Sequence, residues 1–138
     1  MSNQFVIDAS IGLTWVHPSQ ATSESRALLV EVENGAKVVV PRIWFAETAN
    51  ALLVLERRKK LTREERMKAL GRLGALDIAA DEEGHHVMFS RVSELATEHG
   101  LSVYDACYLE LAARRQISLA SNDGPLKAAA KRCSVKVI

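Results

Sequence analysis

Short runs of consecutive apolar residues alternate along this chain with longer stretches of helical spacing. Phe5-Val6-Ile7, Val38-Val39-Val40, Leu76 to Ala80, Ile117 to Ala120 and Val135 to Val137 are the short runs. Continuous apolar runs bounded by turn residues read as strands covered on both faces, as in a parallel sheet. Between them the spacing predicts helices over 22–34, 42–60, 62–73, 83–99, 102–115 and 124–132. Gly35 and Gly100 stand where helices should stop, and Pro41 closes a strand and can open a helix at its first turn. Thr62-Arg63-Glu64-Glu65 is a capping box.

Strands alternating with helices imply right-handed crossovers. The expected fold is therefore α/β, a three-layer α/β/α sandwich in one domain spanning residues 1–138. Five strands predict a parallel sheet in the doubly-wound order 3-2-1-4-5. Ligands of such sheets bind outside the carboxyl ends of the strands, where the order switches. Here the switch falls between the first and fourth strands. Asp8 ends the first strand and Asp123 follows the fourth, so both should flank one crevice.

Composition narrows the class. Apolar residues make up 48% of the 138 and charged residues 25%, as in a globular domain with a full core. No apolar run approaches the roughly 20 residues of a membrane span. The start, Met1-Ser2-Asn3-Gln4, lacks the positive region of a secretion signal, so the expected location is cytoplasmic. Cys107 and Cys133 match no metal spacing and read as two buried thiols.

Four acids stand out. Asp8 follows a strand directly, and small residues after it leave room above. Glu47 lies in a helix whose only polar residues from Ile43 to Leu55 are Glu47, Thr48 and Asn50. A buried carboxylate costs several kcal/mol unless paired or bound to metal. Asn50, one turn on, shares its face. Asp105 fits a capping box with Ser102, yet a first-turn acid also faces the crevice. Asp123 sits in Ser121-Asn122-Asp123-Gly124, ordinary turn chemistry at the edge where this fold keeps its site. Ser10, Ser121 and Asn122 add hydroxyl and amide groups there. Tyr104 and Tyr108, one turn apart, read as core.

Four carboxylates in one crevice raise one another's pKa, and a divalent cation relieves this. All-oxygen ligands favour Mg²⁺, with Mn²⁺ as substitute, over zinc. Metal-bound carboxylates suit attack of water on a phosphodiester. The net charge of +1 hides a partition: with four of 17 acids in one pocket, 18 bases dominate elsewhere, which suits a polyanionic substrate. The basic run Arg57-Arg58-Lys59-Lys60 fits either a helix dipole or an RNA backbone. A helix apolar nearly all round needs cover on more than one side, which a second subunit could supply. Trp15, Trp44, Phe45, Leu52 and Leu53 are candidate wall residues along which a partner peptide could lie.

Taken in order, four stretches resemble PIN-domain ribonucleases, above all the VapC-type toxins of toxin–antitoxin pairs. They are Val6 to Ser10, Pro41 with Glu47 to Leu52, Leu101 to Leu109, and Leu119 to Leu126. The resemblance implies Asp8, Glu47, Asp105 and Asp123 as an acidic quartet, with Asp8 and Asp105 most directly tied to metal. It further implies a Mg²⁺-dependent endoribonuclease, a homodimer, and inhibition by a cognate antitoxin. Ser121 stands where many relatives carry Thr, and keeps the hydroxyl. A phospho-receiver module, with Asp81 as acceptor, and a binding module without catalysis are the other readings. The first lacks paired acids after the first strand; the quartet argues against the second.

Overall fold

Residues 3–138 are described in a computed structural model of the chain. Met1 and Ser2, part of the start read for a secretion signal, lie outside the described residues. Strands β1 (Gln4–Ile7), β2 (Lys37–Val40), β3 (Ile78–Ala80) and β4 (Ser118–Ala120) form one sheet in the order β3-β2-β1-β4. Every pairing is parallel: Val6 opposes Val39 on one side and Leu119 on the other. Phe5, Val6, Ile7, Val38, Val40 and Leu119 have no exposed surface, as their unbroken apolar runs predict.

The expected fifth strand is a correction. Val137 makes one isolated parallel bridge to Leu119. Leu119 donates to the Lys136 carbonyl at 2.9 Å and accepts from Ile138 at 3.0 Å. The segment lies beside β4, where the order 3-2-1-4-5 puts it, but the sheet has four strands. Ser134, at φ 58°, turns the chain sharply just before. The segment that follows makes a single ladder pair, too little for a strand.

The helices are α1 (Ala9–Val16), α2 (Ser23–Glu33), α3 (Ile43–Arg57), α4 (Arg63–Gly74), α5 (His85–Val87), α6 (Ser93–His99), α7 (Val103–Arg115) and α8 (Gly124–Arg132). Thr22 and Thr62 cap α2 and α4 through reciprocal capping boxes. Gly100 ends α6 with φ 63°. Gly74 stays inside α4, which runs one residue past the expected stop. A π turn, Met88–Val92, joins α5 to α6 where one regular helix is predicted. No helix among the described residues is long and apolar enough to cross a membrane.

Two elements position the site. Trp44, at the start of α3, is buried and donates from its indole nitrogen to the Asp8 carbonyl at 3.1 Å. That bond ties the helix carrying Glu47 to the end of β1. Gly12 in α1 is what admits the indole: a Cβ there would lie 2.8 Å from Trp44 Cζ2. Gly12→Ala should therefore cost about 1–3 kcal/mol through overpacking. Thermal unfolding measures this; an unchanged Tm would mean that Trp44 moves aside freely.

Candidate active site

Asp8 is both the end of β1 and the cap of α1. Its Oδ1 accepts from the Ile11 backbone N–H at 3.2 Å and from the Ser10 hydroxyl, and its Oδ2 accepts from the Ser121 hydroxyl. Its own N–H donates to the Ala120 carbonyl at 3.3 Å, holding the ends of β1 and β4 together. The side chain is 6% exposed. Burial pushes its carboxyl above the ordinary range, the three hydrogen bonds oppose this, and the charge of Asp123 adds to the rise.

Asp123 caps α8, accepting from the Leu126 N–H at 2.9 Å. Its backbone N–H donates to Ser121 Oγ at 2.9 Å, so Ser121 links Asp123 to Asp8. Ser10 does the parallel work across the switch: its hydroxyl accepts from the Asn122 backbone N–H at 3.0 Å. Asn122 thus enters through its main chain. Asp105 sits in the first turn of α7, where Ser102 accepts from its N–H at 3.0 Å. Burial and the charges of Asp123 and Asp8 push the Asp105 carboxyl up, against a hydrogen bond from Ser102. The three aspartates therefore lie within one another's field, and none takes an Arg or Lys partner among the described residues.

Glu47 is half-buried, and the Tyr108 hydroxyl donates to its Oε1. Tyr108 is 1% exposed; burial, this hydrogen bond and the charges of Glu47 and Asp8 all push its hydroxyl far up, so it is a fixed donor. Tyr108 holds Glu47 and lies within the field of Asp8, a role that its spacing alone did not reveal. The neighbouring Tyr104, read as core from the same spacing, is 59% exposed. Asn50 is exposed and makes no hydrogen bond to Glu47 among the described residues. Trp15, Trp44 and Leu52 are core residues, so of the candidate wall residues only Phe45 and Leu53 reach the surface.

The candidate donors are oxygens: the three aspartates, Glu47 bonded to Tyr108, and the Ser10 and Ser121 hydroxyls bonded to Asp8. Their unrelieved mutual repulsion suits a hard divalent cation. No set of three His, Cys, Asp or Glu side chains among the described residues is already drawn together as closely as a bound ion would hold them.

Asp81, the alternative acceptor, belongs to a different network. It is 7% exposed and bonded to both Arg114 and Arg115. Such pairing makes it structural.

Comparison with known proteins bears on this arrangement. The PIN domain family matches residues 5–132. No curated protein matches the chain by sequence. Among solved structures, PAE2754 from Pyrobaculum aerophilum is 20% identical at TM-score 0.72, covering 99% of this chain and 92% of that one. VapBC2 from Rickettsia felis, solved bound to a DNA fragment from its promoter, is 11% identical at TM-score 0.67, covering 98% and 97%. VapC20 from Mycobacterium tuberculosis, described as a sarcin-ricin loop cleaving toxin, is 16% identical at TM-score 0.67, covering 91% and 94%. At these identities the likeness is one of fold.

Proposed function

Because this chain belongs to the PIN domain family, we propose that it is a metal-dependent endoribonuclease, the toxin half of a toxin–antitoxin pair. The family is generally one of nucleases, and structural neighbours include VapC toxins. The observation that carries the reading is the trio Asp8, Asp105 and Asp123, mutually repelling and without a cationic side chain. Those three would hold Mg²⁺ or Mn²⁺, with Glu47 contributing directly or through water. Bound there, the ion would lower the pKa of a water and stabilise the oxygens of an in-line displacement at phosphorus.

The protein's own part is preorganisation. Ser10 and Ser121 fix both oxygens of Asp8 while leaving lone pairs free. Tyr108 holds Glu47 without neutralising it. Helix N-termini at α1, α7 and α8 stabilise the three aspartates as anions.

Cleavage of RNA in Mg²⁺ and its loss in EDTA test the activity. A second readout needs no turnover. Raised carboxyl pKa values favour the folded state below the unfolded value, near 3.8, and that stability is lost as pH rises through the folded pKa. Mg²⁺ should therefore raise Tm at pH 7, by the linkage of a ligand bound only when folded, and have little effect near pH 4. An equal shift at both pH values would place the ion elsewhere.

The partner is an antitoxin, and the chain pairs with itself. Phe45 is 45% and Met67 53% exposed, apolar surface on α3 and α4 that one domain leaves uncovered. Light scattering should give a dimer at micromolar concentration; a monomer would remove this part of the proposal.

A further inference from the structure

The turn between α3 and α4 carries Arg57-Arg58-Lys59-Lys60, all exposed. None of the four has an ion-pair partner among the described residues. The neighbouring carboxylates are committed elsewhere. Glu56 takes Arg66 at 2.7 Å, Glu64 takes Lys68 at 3.6 Å, and Glu65 accepts from the Thr62 N–H at 2.8 Å. Arg57 lies in the last turn of α3 and complements the helix dipole, but the other three lie beyond the helix.

The turn is also stiff. Arg58, Lys59 and Lys60 donate to the carbonyls of Val54, Glu56 and Leu55 at 2.9, 2.9 and 2.8 Å. Leu61, 8% exposed, plugs the chain back into the core, and the capping box and the Arg66–Glu56 pair clamp α4 to α3. Lys59 adopts φ 61°, the left-handed position that favours glycine. A lysine there accepts backbone strain and keeps a charge.

We infer that this turn is a docking surface for the phosphate backbone of single-stranded RNA, an inference that rests on the ribonuclease reading. Unneutralised cations on a rigid turn match a polyanion without reading its sequence. The turn is built on the helix that bears Glu47. Ten residues separate Glu47 from Arg57, about 15 Å of rigid rod. RNA held at the turn is thereby fixed relative to the carboxylates, and the repulsion that they exert on phosphates is offset from outside the crevice.

The test uses the full chain with Asp8→Asn, to prevent cleavage, and a fluorescent single-stranded RNA of about 16 nucleotides. Replacing Arg58 and Lys60 by Ala and Lys59 by Gly should weaken binding about 40-fold at 0.15 M salt and reduce the salt slope by about 2. Lys59→Gly alone should raise Tm by relieving strain while weakening RNA binding. Undiminished affinity and slope in the triple variant, or no RNA binding by either protein, overturns the docking surface. So does a triple variant that keeps RNA but loses an acidic peptide bound by the unsubstituted protein. The two readings separate cleanly. If the unsubstituted protein cleaves RNA but the slope is unmoved, only the docking surface falls. If it leaves RNA intact in Mg²⁺ while the slope drops, only the nuclease reading falls.

Discussion

Asp8→Asn should reduce RNA cleavage by more than about 100-fold, the upper loss typical of disturbing a mere supporting partner of a metal ligand. The substitution removes the charge at the point where β1, α1 and β4 meet. Asn is as good a helix cap as Asp, so α1 should persist. The lost repulsion from Asp123 and the lost burial of an anion favour the variant without metal. The weakened bonds to Ser10 and Ser121 oppose this. Stability should stay within about 1 kcal/mol of the natural protein, as for most substitutions that keep packing. Circular dichroism and thermal unfolding check the fold, and gel-resolved cleavage checks activity. Retained cleavage would sink the proposed chemistry, and a collapsed fold would mean that Asp8 is chiefly a structural cap.

The largest stability loss is expected at Arg114→Ala, away from the site. Arg114 bonds Glu110 through Nε at 2.8 Å and Asp81 through Nη2. Glu110 is 6% and Asp81 7% exposed. Removing the guanidinium strands Glu110 outright and leaves Asp81 with Arg115 alone, at 2.9 Å. Breaking a buried pair by deleting one partner costs about 3–5 kcal/mol. The lower end applies here, because Arg115 remains and Arg114 is itself partly exposed.

The pH dependence has a definite sign. Burial pushes the Asp81 carboxyl up, but the hydrogen bonds and charges of Arg114 and Arg115 outweigh it and hold the group below its ordinary value. That stability is present above the unfolded value and is lost as pH falls through the folded one. The gap between variant and natural protein should thus be full at pH 7 and narrow below about pH 4, where the unfolded carboxyl takes its proton. Urea unfolding at the two pH values measures it. A gap that does not narrow in acid would mean lost packing of the arginine stem, not lost pairing.

The order of elements was legible in the sequence because it depends on local signals. Apolar runs at β1, β2 and β4, the capping box at Thr62, and Gly100 after α6 each act within a few residues. The doubly-wound strand order then placed β1 beside β4, and with it Asp8 and Asp123 at one edge. Aspartates that end strands and cap helices are recognisable from neighbours alone. Where an outcome depends on distant partners, the sequence was silent. Tyr104 and Tyr108 share one spacing, yet one is exposed and the other donates to a glutamate 61 residues away. Asp81 looked available until α7 brought two arginines to it. Val135 to Val137 had strand composition, but a left-handed turn at Ser134 left it one bridge on β4. Within one chain only Trp44, Thr48 and Leu52 of the apolar α3 are buried, since packing selects one face and composition cannot say which. Periodicity and capping are local properties of a chain. Burial, pairing and charge coupling are set by which segments meet, and that is decided only when the sheet closes.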